Sequence, residues 1–207
     1  MIETVICLLS GYLVGSLNPS ALISKIKNKN MRAEGTGNLG ATNTLLVFGK
    51  KYAFLVLLFD MAKSFLALKA VEWIFPTLKW LALATGLCAV IGHCFPFYLG
   101  FKGGKGLAAF AGLVLAYKPT LFLFLLVTGV ALMFVVNYSF ILPFYASAFF
   151  AVFVAVYERD VWMFLIAAAA SAIIMVMHFG NIKKAIRGED NKVRDFVKNK
   201  LFKSKKK

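Results

Sequence analysis

Three short polar segments interrupt an otherwise apolar sequence, and each carries residues suited to binding a phosphate. The first, at 34–43, reads EGTGNLGATN and places three glycines among small polar side chains. Glycines let backbone N–H groups approach an anion closely, and a helix starting at Ala41 would point its N-terminus at the same place. The segment matches GxGxxG, but an apolar run and a lysine-rich stretch precede it instead of a strand. A dinucleotide-binding βαβ unit is therefore not predicted.

The second segment, at 92–106, ends in KGGKG. It lacks the GxxxxGK[ST] spacing of a Walker A loop. It nevertheless supplies backbone donors, a helix N-terminus and the ammonium group of Lys105, which together suit a phosphate. A flexible basic turn is the alternative interpretation of the same residues.

The third segment, at 178–184, reads HFGNIKK and closes the last apolar run. His178 and Asn181 are three residues apart, so they project from one face of a helix. A lone histidine at a helix end is more often a cap than a catalytic group, and the sequence leaves both interpretations open.

The composition limits what can position these segments. Of 207 residues, 60% are hydrophobic and only 16% are charged, and the mean hydropathy is +0.77. A soluble domain is roughly 45–50% apolar and about 25% charged, so a soluble protein is excluded. The net charge of +15 could indicate a nucleic-acid partner, but too few polar residues are present to build such a surface. We therefore expect a membrane protein that binds no nucleic acid.

Hydropathy predicts an all-α, polytopic integral membrane protein with about seven transmembrane helices, since about 20 apolar residues are needed for each crossing. Pro119 and Pro143 mark the expected starts of the fifth and sixth helices. The seven predicted helices are 2–24, 52–72, 79–98, 105–117, 119–137, 140–157 and 161–181.

Lysine and arginine collect on one side of this predicted bundle. They lie in the loop before residue 52, in the loop that holds Lys102 and Lys105, and after residue 182, whereas the opposite loops hold only Lys79, Lys118 and Arg159. Because cytoplasmic loops carry the positive excess, we expect the N-terminus outside, the C-terminus in the cytoplasm and all three polar segments facing the cytoplasm. Residues 1–182 would form a single transmembrane domain. Residues 183–207 would form a basic cytoplasmic tail that contacts anionic lipid or simply sets the topology.

Two charged residues lie inside the second predicted helix. Asp60 and Lys63 are three residues apart, and charges within a membrane helix are usually partnered. The favoured interpretation is a mutual structural pair.

The order and spacing of these motifs resemble those of the bacterial acyl-phosphate-dependent glycerol-3-phosphate acyltransferases, the PlsY family. The resemblance extends from Gly15 to Ile182, nearly the whole membrane part. Its most specific pieces are GTGNLGATN at 35–43, GKK at 49–51, GH at 92–93, Pro96, FKGGKG at 101–106, and His178, Asn181 and Ile182. No single piece is specific, whereas the full set in this order is.

The resemblance implies a seven-helix membrane enzyme that transfers a fatty acyl group from acyl phosphate to the 1-hydroxyl of glycerol 3-phosphate. The products would be lysophosphatidic acid and phosphate, in phospholipid synthesis at the cell inner membrane. No metal and no cofactor are implied. The expected partners are fatty acyl phosphate, glycerol 3-phosphate, membrane lipid and the soluble enzyme that makes the acyl phosphate.

The resemblance also implies roles for individual residues. Four would be catalytic: Thr36, which stands where the family usually has serine, Lys105, His178 and Asn181. Ten would bind substrate or phosphate: Gly35, Gly37, Asn38, Thr42, Asn43, His93, Lys102, Gly103, Gly104 and Gly106. The hydroxyl proton would pass either to His178 or to the substrate's own phosphate. We favour the phosphate, with His178 in a positioning role.

Three positions depart from the family pattern. Leu46 stands where an arginine normally follows the first motif, Pro143 lies in a stretch that normally contains two serines, and Gly180 replaces a glutamate. A lost arginine removes a bidentate phosphate partner that lysine does not duplicate. The departures motivate one alternative, a catalytically divergent paralogue that binds lipid precursors. A second alternative is an organic-anion transporter, although the polar motifs gather at one interface rather than at the midplane.

Overall fold

The computed structural model describes residues 1–189, 192–195 and 198, and it contains no strand within them. The all-α prediction is confirmed. The helices are α1 Ile2–Ser16, α2 Pro19–Ile26, α3 Ala41–Phe48, α4 Lys50–Ile74, α5 Lys79–Cys94, α6 Leu107–Tyr117, α7 Pro119–Val136, α8 Ile141–Glu158 and α9 Val161–Ile186, with a short 3₁₀ turn at Phe97–Leu99.

Five segments in the described part of the chain are long and apolar enough to cross a membrane: Ile2–Ile26, Lys79–Leu99, Pro119–Val136, Ile141–Glu158 and Val161–Ile186. The other two predicted crossings coincide with α4 and α6. Helix α4 has 25 residues but carries charges at its centre. Helix α6 has 11 residues, about 16 Å at 1.5 Å per residue, which is shorter than the roughly 30 Å hydrocarbon core. Seven crossings therefore stay a prediction.

The first predicted helix is interrupted, and the expectation of one continuous helix over 2–24 is wrong. The chain leaves the helix at Leu17, and α2 restarts at Pro19 with the Asn18 side chain accepting a hydrogen bond from Ala21 N at 2.9 Å. The residue before a proline is disfavoured in helical geometry. The Tyr98 hydroxyl spans the break, since it donates to Ser16 O at 2.7 Å and accepts from Asn18 N at 3.1 Å.

Helix α5 lies at the centre of the fold, packed against α1, α4, α6 and α9. Small residues let α1 approach it closely, as is usual where membrane helices meet. A Cβ atom built on Gly15 would overlap the Ala89 backbone, and one on Gly92 would overlap the Tyr12 carbonyl oxygen. The close crossing fixes the position of the α5 C-terminus, from which the second polar segment starts.

We expect Gly15→Val to lower the melting temperature of the detergent-purified protein, because the added side chain must push α1 away from α5. Overpacking of this kind costs about 1–3 kcal/mol. Gly180→Ala is the matched control, since a Cβ there meets nothing within 4 Å. Equal melting temperatures for the two variants would contradict the close crossing.

Part of the predicted basic tail packs against the end of α7. The Arg194 guanidinium donates to Phe134 O at 3.0 Å and to Val135 O at 2.9 Å, and Arg194 N donates to Asn137 Oδ1 at 2.9 Å. A cation is favourable at the carbonyl end of a helix. Residues 199–207, with most of the terminal lysines, lie outside the described part, and the boundary predicted at residue 182 falls inside α9.

Candidate active site

The first polar segment is organised by one buried side chain, that of Asn43, which is 0% exposed. Its Oδ1 accepts a hydrogen bond from Thr36 N at 2.7 Å, while Nδ2 donates to Met31 O at 2.9 Å and to Glu34 O at 3.1 Å. These bonds fold residues 34–40, called loop 1, back onto the start of α3. Thr36 is exposed at the outer side of loop 1.

Loop 1 requires glycine where it passes Asn43. Gly35 has φ +62°, and a Cβ there would overlap Asn43 Oδ1. Helix α3 begins at Ala41, as predicted, and no side chain caps its N-terminus. The uncapped N–H groups at this end suit an anion.

The second polar segment forms a loop at 102–106, called loop 2, whose backbone is tied to the end of α5. Gly103 N donates to Cys94 O at 2.9 Å, and Gly104 N donates to His93 O at 3.1 Å. Gly106 has φ +85° and precedes α6, whose N-terminus also has no side-chain cap. The prediction that the glycines lead into a helix is confirmed, but the helix starts at Leu107 and not at residue 105.

Loop 2 touches the third polar segment through Lys105. Its Nζ donates to Asn181 Oδ1 on α9. His178 lies one turn before Asn181, buried and inside α9 rather than at its end, so the capping interpretation is wrong. His178 Nδ1 lies 2.9 Å from the Ile174 carbonyl oxygen and must donate to it, which in a neutral ring leaves Nε2 as an acceptor.

Loop 1 lies against loop 2 at Leu39 and Gly104, and the side chain of Arg32, just before loop 1, also reaches the second segment. The Arg32 guanidinium donates to Lys102 O at 2.5 Å and to Leu99 O at 3.4 Å. The Leu39 carbonyl of loop 1 accepts from Asn18 Nδ2 at 3.3 Å and lies beside Gly104. Sequence reasoning missed Arg32 and Asn18. Only Asn18 left a signal, because Asn-Pro is a common start of a helix.

A family model described as Glycerol-3-phosphate acyltransferase matches residues 5–188 of the chain. The chain belongs to the glycerol-3-phosphate acyltransferase family.

Bacterial members of this family match over nearly the whole chain. The glycerol-3-phosphate acyltransferase of Aquifex aeolicus is 37% identical over 184 residues, which are 87% of this chain and 94% of that protein. The one from Macrococcus caseolyticus is 36% identical over 199 residues, 92% of this chain and 97% of that protein. The resemblance seen in the motifs is thus confirmed.

Two crystal structures of PlsY, an integral membrane glycerol 3-phosphate acyltransferase, share the fold. The glycerol 3-phosphate form matches with a TM-score of 0.85 at 31% identity and covers 92% of this chain and 95% of that chain. The lysophosphatidic acid form matches with a TM-score of 0.83 at 30% identity and the same coverage. The chain is therefore a multi-pass integral membrane protein.

Exposure divides the predicted site residues of this family member into three groups. Gly35, Thr36, Thr42 and Lys102 are exposed; Gly37, Asn38, Gly103, Lys105 and Asn181 are half-buried; Asn43, His93, Gly104, Gly106 and His178 are buried. Among the buried side chains, Asn43 and His93 hydrogen-bond to other parts of the protein, so in this structure they hold the loops in place.

The departures from the family pattern differ in their surroundings. Leu46 is 43% exposed, and a Cβ on Gly180 would have no neighbour within 4 Å. Pro143 is buried in the first turn of α8, where proline is tolerated. Within the described residues, no group of three or more His, Cys, Asp or Glu side chains could hold a metal ion.

Proposed function

We propose that this protein transfers a fatty acyl group from acyl phosphate to the 1-hydroxyl of glycerol 3-phosphate, giving lysophosphatidic acid and phosphate. The observation that carries the proposal is the contact of Lys105 with Asn181. It joins a glycine-rich loop at a helix N-terminus to the helix face that also holds His178. The names of the relatives and the glycerol 3-phosphate and lysophosphatidic acid forms of PlsY support the same substrate and product.

Both substrates carry a phosphate, so the site needs donors for two anions. Loops 1 and 2 offer backbone N–H groups at the uncapped starts of α3 and α6, and Lys102 and Lys105 add positive charge. Uncapped helix N-termini and glycine-rich turns bind phosphate well. We assign Gly35, Gly37, Asn38, Thr42, Gly103, Gly104 and Gly106 to this phosphate-binding surface. The N–H groups of Gly37, Gly103 and Gly104 already donate within the protein, so these three glycines act by letting the anion approach closely.

The reaction proceeds by direct attack. The 1-hydroxyl oxygen bonds to the acyl carbon, and the bond from that carbon to the oxygen of the leaving phosphate breaks. The hydroxyl proton passes to the substrate's own phosphate. Because phosphate is already an activated leaving group, catalysis consists of orientation and stabilisation of the oxyanion. His178 Nε2 accepts a hydrogen bond from the hydroxyl, while Lys105, Asn181 and Thr36 hold the charged phosphoryl and carbonyl oxygens.

The acyl chain needs an apolar surface next to loop 2. A pocket with apolar walls begins at Leu107, the residue after loop 2, and runs between α6, α7 and α8. It is lined by Leu107, Phe110, Val114, Phe122, Leu125 and Leu142, among others. Hydrocarbon placed there would bring the acyl carbonyl to Lys105 at the membrane surface.

We place the active site on the cytoplasmic face of the inner membrane, with seven crossings, the N-terminus outside and the C-terminus inside. The excess of Lys and Arg in the loops that carry the site supports this orientation. It also gives the soluble enzyme that makes acyl phosphate access to the site.

The test is reconstitution of the purified chain in lipid vesicles with palmitoyl phosphate and glycerol 3-phosphate, with lysophosphatidic acid measured over time. We expect turnover that depends on both substrates, and rescue of a strain that lacks its acyl-phosphate-dependent acyltransferase. Binding of palmitoyl phosphate without turnover would instead indicate a divergent paralogue, and uptake of glycerol 3-phosphate into sealed vesicles would indicate a transporter.

A further inference from the structure

Three ionisable side chains meet beneath loop 2, and none of them is a proposed catalytic residue. Asp60 and Lys63 come from α4 and His93 from the last turn of α5, and they are 1%, 3% and 3% exposed. Lys63 Nζ lies 2.8 Å from Asp60 Oδ1, which confirms the predicted pair. Sequence spacing gave no indication that His93 joins it.

The Lys63 ammonium group has three N–H bonds, and each has an acceptor. Nζ lies 2.8 Å from Asp60 Oδ1, 2.9 Å from the Leu17 carbonyl oxygen and 2.8 Å from His93 Nδ1. His93 Nδ1 also lies 3.2 Å from Asp60 Oδ1, so the ring contacts both members of the pair. An ammonium group can only donate, so beside a charged Lys63 His93 Nδ1 accepts, and the neutral ring carries its proton on Nε2.

The Nε2 edge of His93 lies against loop 2. A Cβ built on Gly104 would overlap His93 Nε2 and would lie 2.7 Å from Cε1. The backbone of the last α5 turn also holds loop 2, because Gly104 N donates to His93 O at 3.1 Å and Gly103 N donates to Cys94 O at 2.9 Å. The imidazole ring therefore packs directly beneath Gly104 and supports loop 2.

The same cluster reaches loop 1 through the break between α1 and α2. Lys63 holds the Leu17 carbonyl that the break leaves available, and the next residue, Asn18, donates to Leu39 O of loop 1 at 3.3 Å. Displacement of Lys63 would therefore act on both loops.

We propose that Asp60, Lys63 and His93 are positioning residues that set the place of loop 2, and through Leu17 of loop 1, for a bound phosphate group. A purely structural pair is the alternative, but apolar side chains could join α4 to α5 without placing charges in the membrane interior. The inference rests on the proposed function only in that loop 2 binds phosphate.

Two variants separate positioning from stability. The double substitution Asp60→Leu with Lys63→Met removes both charges together, and replacement of a buried ion pair by apolar residues of similar volume is often neutral for stability. His93→Asn keeps an acceptor for Lys63 near the place of Nδ1 and removes the ring edge beneath Gly104. Thr85→Val is the matched control, because Thr85 is also buried and polar on α5 but bonds only within its own helix, to Leu81 O.

The readout is the melting temperature of the detergent-purified protein as inorganic phosphate is added, together with KM for glycerol 3-phosphate and kcat. A ligand that binds only the folded state raises the melting temperature. We expect both variants to need a phosphate concentration at least about fivefold higher than the wild type to reach half of the maximal rise in melting temperature. KM for glycerol 3-phosphate should increase by a similar factor, since preorganisation of the loop is lost. Thr85→Val should match the wild type.

Wild-type phosphate dependence in a folded double variant or in folded His93→Asn would overturn the inference, as would a wild type that does not respond to phosphate. If the double variant fails to fold, the result for His93→Asn decides whether the inference holds. If His93→Asn also fails to fold, the cluster is structural and the inference is overturned. A wild type that responds to phosphate but makes no lysophosphatidic acid would refute the proposed function alone.

Discussion

Replacing Lys105 with methionine is expected to reduce the rate of lysophosphatidic acid formation by about a hundredfold to a thousandfold, the usual effect of removing a preorganised donor to a developing oxyanion. Methionine keeps an apolar stem of similar length, with sulfur in place of Cδ, and removes the ammonium group. Because Lys105 donates to Asn181, the substitution also loosens loop 2 from α9. Steady-state turnover in vesicles measures the loss.

Lys69→Met is the matched control for this experiment. Lys69 pairs with Glu72, and both side chains are about two-fifths exposed, so loss of the pair is worth at most about 1 kcal/mol. We expect nearly full turnover from this variant. Lys105→Met with turnover equal to that of Lys69→Met would remove Lys105 from the reaction and with it the proposed use of loop 2.

The parts of the site that could be predicted from sequence are local in the chain. The start of α3 at Ala41 and, to within two residues, the start of α6 at Leu107 follow from glycines that precede apolar residues, since the backbone preferences of neighbouring residues decide a helix start. The break at Asn18-Pro19 could be predicted in the same way, because Asn-Pro is a common start of a helix. It was missed because the apolar run across it satisfies the length of a crossing, and hydropathy does not detect a kink.

The end of α9 shows a different limit. Hydropathy falls at residue 181, but the helix continues to Ile186 through Lys183 and Lys184. Lysine is a good helix former, so the apolar stretch and the helix end at different residues. This difference places His178 in the middle of a helix, where its Nδ1 bonds a backbone carbonyl and its ring orientation is fixed.

Long-range pairings could not be predicted from one sequence. His93 meets Asp60 and Lys63 only because α4 packs beside α5, and Arg32 meets Lys102 only because loops 1 and 2 share one end of the bundle. Neither pairing leaves a spacing pattern in the chain. The sequence therefore predicts which segments carry the site, and packing decides which side chains bind ligand and which hold the loops.

Asn43 offers the clearest test of that division, and Asn43→Ala is expected to lower the free energy of unfolding by about 2–4 kcal/mol. The substitution leaves the buried Met31 O without its partner, together with Thr36 N and Glu34 O, which are partly reached by solvent. A fully buried polar group left unpaired costs about 1–3 kcal/mol, and the two part-buried groups add less. Turnover should fall as well, because Thr36 loses its fixed place. Thermal unfolding in detergent and turnover in vesicles measure the two effects.

Asn30→Ala is the control for Asn43→Ala, because Asn30 is exposed and its Oδ1 accepts only from Arg32 N, at 3.1 Å. A surface change of this kind stays within about 0.5 kcal/mol. Asn43→Asp keeps an acceptor for Thr36 N but turns a buried carboxylate oxygen toward Met31 O and Glu34 O, so we expect it to be at least as destabilising as Asn43→Ala. If Asn43→Ala instead keeps the stability of Asn30→Ala while KM rises, then Asn43 binds substrate directly. Loop 1 would then owe its shape to Gly35, Gly37 and its other hydrogen bonds, such as that from Asn18 to Leu39 O.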